Sequence, residues 1–185
     1  MLLRADSLAS TQSIAAALAS VSRPGDLIVL AGEMGAGKTA FAQGFGRALG
    51  IVEAITSPTF TLVHSYPVPN SKVTMHHADL YRLDTTGDVD ELALHELAEF
   101  GGIVLVEWGD VAAATLGDHL EVRIDHDDAD DVDADDDDAD DADADGDADD
   151  DFGLDGSRLI TLDATGPGWA GRWDRLAAAM EAYRC

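Results

Sequence analysis

The stretch Leu27 to Thr39, LIVLAGEMGAGKT, carries the decision about fold. Its first five residues are uninterrupted apolar side chains, the pattern of a strand covered on both faces. The next eight, Gly32, Glu33, Met34, Gly35, Ala36, Gly37, Lys38 and Thr39, match G-x-x-x-x-G-K-[ST], a phosphate-binding loop. Glycines at this spacing let successive backbone N–H groups turn toward one anion, and the helix that follows offers its positive end to the same place. Lys38 then reaches the outer phosphates of a nucleoside triphosphate, and the Thr39 hydroxyl ligates the accompanying Mg²⁺. Beyond Lys38 the pattern turns helical: Phe41, Phe45, Ala48 and Leu49 share a stripe, and Gly50 ends it. Gly44 and Gly46 each cost this helix about 1 kcal/mol relative to Ala, which a close backbone neighbour would explain.

A phosphate-binding loop needs an acidic partner for its metal. Glu107 closes the apolar run Ile103 to Val106, and in an open parallel sheet ligands gather at the carboxyl ends of strands. Asp79, in HADLYR from His77 to Arg82, ends another extended run. It is suited to orient an attacking water, to meet the metal through water, or simply to cap a turn. Ser57 and Thr59, in SPT after the helix, supply hydroxyls where γ-phosphate-sensing loops lie, although ordinary turn chemistry uses the same residues. With no cysteine or third histidine at metal spacing, His76 and His77 read as internally satisfied polar residues.

Around these motifs the chain reads as one α/β domain over 1–185. Ser10 to Ser20 forms a helix capped by Ser7 or Ser10. An extended segment runs from Ser57 to Tyr66, turns through Pro67 to Asn70, and pairs with Val73 to Ala78. Asp88 to Phe100 is helical, with Gly101-Gly102 as its stop. His119 to Ile124 and Arg158 to Leu162 are the arms of a hairpin, and Trp173 to Tyr183 is a closing amphipathic helix. The predicted architecture is a mostly parallel sheet of the P-loop NTPase type flanked by helices, with the acidic tract 125–151 as a disordered insertion at the hairpin tip.

The chain has 185 residues, with 37 Asp+Glu against 11 Lys+Arg and a formal net charge of −26. The tract 125–151 holds 18 aspartates and no Lys or Arg, so the remainder carries 19 acids against 11 bases, a net −8. So few bases exclude an autonomous binder of nucleic acid or anionic membrane, since phosphate backbones are held by clustered Lys and Arg. Within the tract, Asp141 to Asp147 matches the first half of an EF-hand loop, but position twelve is Phe152 and an Asp-rich repeat generates such matches freely. Cys185 is the single cysteine, which leaves no intrachain disulfide or Cys-rich zinc site. No run reaches the ~18 apolar residues of a membrane span, so a reducing cytoplasm and no membrane association are expected.

In order and spacing, GEMGAGKT, SPTFTLVHSY, HADLYRL and VLVEW resemble the TsaE (YjeE) family of small bacterial P-loop ATPases, from about Gly25 to Trp108. The resemblance implies ATP and Mg²⁺ as cofactors and a role in placing N6-threonylcarbamoyladenosine beside the anticodon of tRNA. It also implies TsaB and TsaD as partners, with tRNA engaged only through that complex. Lys38 and Thr39 then bind phosphate and Mg²⁺, Glu107 holds the second metal position, and Asp79 is the acid on which hydrolysis depends, with Trp108 beside it. Lys38, Asp79 and Glu107 form the catalytic set, Ser57 and Thr59 the switch-like element, and Thr11 borders the adenine. Gly109 stands where family members commonly have Pro, and the acidic tract is no family feature.

Two other functions are compatible with a phosphate-binding loop. A small-molecule kinase would need several arginines to close over its acceptor, and Arg82 is the only well-placed base after the loop helix. A nucleotide-gated interaction protein would need no turnover at all.

Overall fold

β2 (Leu27–Ala31) is buried at every position, and the sheet is built outward from it. The computed structural model describes residues 1–82, 92–109, 116–127 and 156–185. Residues 128–151 of the acidic tract, its EF-hand-like stretch and the start of the helix expected from Asp88 lie outside them.

The other strands are β1 (Leu2–Ala5), β3 (Val63–Pro67), β4 (Thr74–Asp79), β5 (Gly102–Glu107), β6 (His119–His126) and β7 (Arg158–Thr165). They form one seven-stranded sheet in the order β1-β7-β6-β2-β5-β4-β3. The four central strands, β6, β2, β5 and β4, run parallel, while β3, β7 and β1 join antiparallel at the edges. The expected α/β architecture and the hairpin of β6 with β7 are therefore present.

Alternation along β2 divides the interior. Ile28 and Leu30 face a large core with Ile14 and Leu18 of α1 (Leu8–Val21) and Phe41 and Phe45 of α2 (Lys38–Ala48). Leu27 and Val29 face a smaller one with Leu94 and Ala98 of α3 (Leu94–Glu99). Trp169 in α4 (Pro167–Ala170) and Leu176 in α5 (Trp173–Ala179) complete the larger core. No helix among the described residues is long and apolar enough to cross a membrane.

Several boundaries differ from the sequence reading. The N-terminal segment pairs with β7 along Leu2–Ala5, an assignment that four residues of local pattern could not make. Residues 57–62 form a turn instead of an extended run: the Pro58 carbonyl accepts the amides of Thr61 and Leu62, and Leu62 takes a φ of 65°. α3 begins only at Leu94, behind Ala93 at a φ of 50°. β6 continues through Asp125 and His126, past the expected end at Ile124, because the ladder to β7 persists and Arg4 binds Asp127 at 2.9 Å.

One buried ion pair ties the chain's end to the base of β2. Arg172 donates to both carboxylate oxygens of Asp26, at 2.9 and 2.6 Å, while its guanidinium stacks over Trp169.

The two helices over the larger core meet closely. A Cβ on Gly44 would lie 2.6 Å from Gln12 Cα and 2.7 Å from Gln12 O, both backbone atoms of α1 that cannot turn aside. Gly44→Ala is therefore expected to lower stability by about 1–3 kcal/mol in a denaturant melt, although helix propensity alone favours Ala by about 1 kcal/mol. A neutral or stabilising result would contradict this account of the α1–α2 contact.

Candidate functional site

Three parallel strands end at the same edge of the sheet, and each delivers one part of a cleft of about 520 Å³. β2 runs into the glycine-rich loop, β4 ends in Asp79 and β5 ends in Glu107. Register sets the two acids side by side, since Asp79 and Glu107 are direct partners across β4 and β5. Both are almost wholly buried. The cleft is lined by Met34, Gly35, Gly37, Lys38, Thr39, Ser57, Thr59, Asp79 and Glu107 among the expected residues.

The loop is held in shape by backbone it cannot avoid. A Cβ on Gly32, at a φ of 135°, would collide with the Ile124 carbonyl of β6. Ala36 is fixed from the opposite strand: the buried Arg158, first residue of β7, donates its Nε–H to the Ala36 carbonyl at 3.2 Å. Gly37, the N-cap of α2, gives no side-chain cap. The first-turn amides of α2, which by helix geometry have no intrahelical acceptor, face the position an anion would take.

Lys38 is about 5% exposed and lies between two kinds of partner. Its ammonium donates to the carbonyls of Gly32 and Glu33, at 2.9 and 2.7 Å, and sits 3.9 Å from the centre of the Trp108 ring. Trp108 has a φ of 59°, rare for a residue with a side chain, at a cost of order 1–2 kcal/mol. The Trp108 amide donates to the Leu30 carbonyl at 3.1 Å, and its ring packs on Tyr81. A Cβ on Gly109 would already touch Val29 at 3.0 Å, so the residue after the tryptophan is tightly seated.

Two hydrogen-bonded clusters organise the acids. The Thr39 hydroxyl donates to Glu107 Oε1 at 2.9 Å, and His77 Nε2 lies 2.9 Å from the same oxygen. On the neighbouring strand, Asp79 Oδ2 accepts from Ser57 at 3.1 Å and Thr59 at 2.7 Å, while Oδ1 accepts the Tyr81 amide at 2.8 Å. The last bond is a turn-capping one, so Asp79 also fills the structural role considered for it. Hydroxyl and carboxylate are hard oxygen donors that suit Mg²⁺, an ion commonly held by one or two protein groups plus substrate phosphates.

Thr11 stands apart from the cleft. It is buried beside Ala36, Gly37, Ala40 and Arg158, and its hydroxyl donates to the Ser7 carbonyl at 3.3 Å. Glu33 and Ala36 border the outer side of the loop with Ile124, Asp125 and His126. His76 bonds to Ser65 at 2.8 Å, and burial pushes its pKa below the ordinary imidazole value, in keeping with an internally satisfied residue. Sequence reasoning did not foresee Gln43, Thr56 and Tyr81 in the cleft lining, Arg158 on the loop, or His77 on Glu107. The strand register alone could have suggested His77, two residues before Asp79 and therefore on the same face of β4.

Comparison with known proteins places this geometry in context. The family model described as "Threonylcarbamoyl adenosine biosynthesis protein TsaE" matches residues 5–134. A Bacillus subtilis tRNA threonylcarbamoyladenosine biosynthesis protein TsaE is 39% identical over 98 residues, 53% of this chain and 60% of that protein. The Streptomyces coelicolor protein of the same name is 40% identical over 121 residues, 62% of this chain and 80% of its own length. The first of these matches thus spans less than two thirds of its relative. A crystal structure of Bacillus subtilis YdiB superposes with a TM-score of 0.66 and 27% identity, covering 98% of this chain and 94% of that one.

Removing the Arg158 guanidinium should loosen the loop it supports. In Arg158→Ala, hydrogen exchange measured by mass spectrometry is expected to accelerate at the amides of residues 33–37 and stay unchanged in β2. Unaltered exchange across the loop would contradict that supporting role.

Proposed function

Because the chain belongs to the TsaE family, we propose that it is an ATP-binding and ATP-hydrolysing subunit of the system that installs threonylcarbamoyladenosine on tRNA. One observation carries the reading: a glycine-rich loop, Lys38, the Thr39–Glu107 pair and Asp79 with its two hydroxyl donors converge on one cleft. The relatives' names supply the tRNA modification, and the geometry argues for the phosphate chemistry.

In this reading the loop amides and the start of α2 receive the β- and γ-phosphates, and Lys38 shares its ammonium between loop carbonyls and a phosphate oxygen. Thr39 and Glu107 would hold Mg²⁺, which supplies neutralisation of the charge developing on the phosphates. Asp79 orients water for attack: its buried carboxylate is an acceptor already aligned by Ser57, Thr59 and the Tyr81 amide. Ser57 and Thr59 sense the γ-phosphate by exchanging their bonds to Asp79 for bonds to nucleotide. Turnover then supports a TsaB–TsaD transferase, which holds the tRNA that this acidic chain cannot.

The kinase alternative gains nothing from the fold, since no arginine lines the cleft among the described residues and Arg82 packs over the exposed Phe60 ring at 4.5 Å.

Two substitutions separate binding from chemistry. Lys38→Ala is expected to reduce ATP affinity at least about tenfold in calorimetric titration, through loss of a charge-assisted phosphate contact. Asp79→Ala should leave that affinity within a few-fold of the parent and depress hydrolysis by about 10²–10⁴, measured with TsaB and TsaD present. Equal collapse of affinity in Asp79→Ala would remove the hydrolytic role assigned to it. For the isolated chain, tRNA retention on filters at physiological salt is expected to be absent; tight, salt-sensitive retention would contradict the division of labour.

A further inference from the structure

His77 is completely buried, yet its two ring nitrogens are treated differently by their surroundings. Nε2 lies 2.9 Å from Glu107 Oε1, whereas Nδ1 is buried with no hydrogen-bond partner among the described residues. A carboxylate oxygen accepts, so the hydrogen shared between Nε2 and Oε1 sits on Nε2, and the unpartnered Nδ1 is left as the acceptor of the ring. The tautomer consistent with both nitrogens therefore donates from Nε2 to Glu107.

The placement is repeated by the sheet itself. His77 and Asp79 are two apart on β4 and share one face, and Asp79 is the register partner of Glu107. Glu107 thus meets a ring from below and a hydroxyl from α2, and both bonds fall on Oε1. Neither of them engages Oε2. A rigid, buried donor on one oxygen turns the other toward the cleft, which a flexible glutamate could not maintain unaided.

We propose that His77 is a positioning residue: its Nε2–H fixes the Glu107 carboxylate so that the chain presents a preformed acceptor to a nucleotide-associated divalent cation. Because Thr39 can exchange its bond to Glu107 for a bond to the metal, the histidine is the partner that keeps Glu107 in place when the site is loaded. The inference rests on the ATP–Mg²⁺ reading above and adds to it a residue that touches neither nucleotide nor metal.

The test is calorimetric titration of the full-length chain with ATP, in EDTA and across a MgCl₂ series, for the parent, His77→Leu and His77→Gln. His77→Leu is expected to raise the Mg²⁺ concentration giving half-maximal tightening of ATP by about tenfold or more, while ATP affinity in EDTA stays within about twofold. His77→Gln, whose amide can reach Oε1, should recover most of the shift. An unchanged Mg²⁺ midpoint in His77→Leu, or an equal loss of ATP affinity with and without metal, overturns the proposal. Should His77→Leu fail to fold, ¹⁵N spectra of the parent decide: an Nε2–H tautomer supports the proposal and an Nδ1–H tautomer overturns it. A parent chain whose ATP affinity ignores Mg²⁺ would contradict the proposed function instead, and the tautomer would still report on His77.

Discussion

The hydrogen bond from Thr39 to Glu107 joins two parts of the chain 68 residues apart, and it marks the register constraint on which the cleft depends. It spans the first turn of α2 and the end of β5, where the glycine-rich loop meets the acids of the sheet edge. Nothing local demands this contact. It follows from β2 and β5 being parallel neighbours with Leu30 opposite Glu107, which puts the loop after one strand beside the terminal side chain of the other. The buried apolar ladder of β2 is therefore as much a part of the site as the polar groups that line it.

Most of the architecture could be read locally because its signals are local. A fully apolar pentapeptide, a glycine-rich octapeptide and a periodic helix occur in immediate succession from Leu27, and Glu107 is recognisable as the acid that ends a second apolar run. What escaped was contact between distant positions. Leu2–Ala5 becomes a strand only because β7 offers an edge, and Asp26 is seen as more than a turn residue only once Arg172 reaches it from 146 positions away. Ser57 and Thr59 are recognisable as hydroxyls on the segment after the loop helix, but their convergence on Asp79 requires the turn that Pro58 and Leu62 close. His77 looked like an ordinary satisfied histidine and proved half right: one nitrogen is matched by Glu107, the other is not matched at all.

The acidic tract has a definite address even though its interior lies outside the described residues. Its entry, Asp125 to Asp127, belongs to or adjoins β6, and beyond it the described chain resumes at Gly156, two residues before β7. Both flanks contact the glycine-rich loop, through the Ile124 carbonyl beneath Gly32 and Arg158 on Ala36. Loop-closure entropy grows only logarithmically with length, so a long connection between β6 and β7 is compatible with arms that keep full register. Comparable tolerance would not be expected inside β2 or α2, where every neighbour is core.

The most direct examination of the account is a crystal structure with Mg²⁺ and a non-hydrolysable ATP analogue. It should show the triphosphate against the amides before α2, the metal at about 2.0–2.1 Å from the Thr39 hydroxyl, and Glu107 bound to that ion directly or through one water. A triphosphate bound away from the loop, or a metal with Glu107 outside its coordination and water shells, would contradict it.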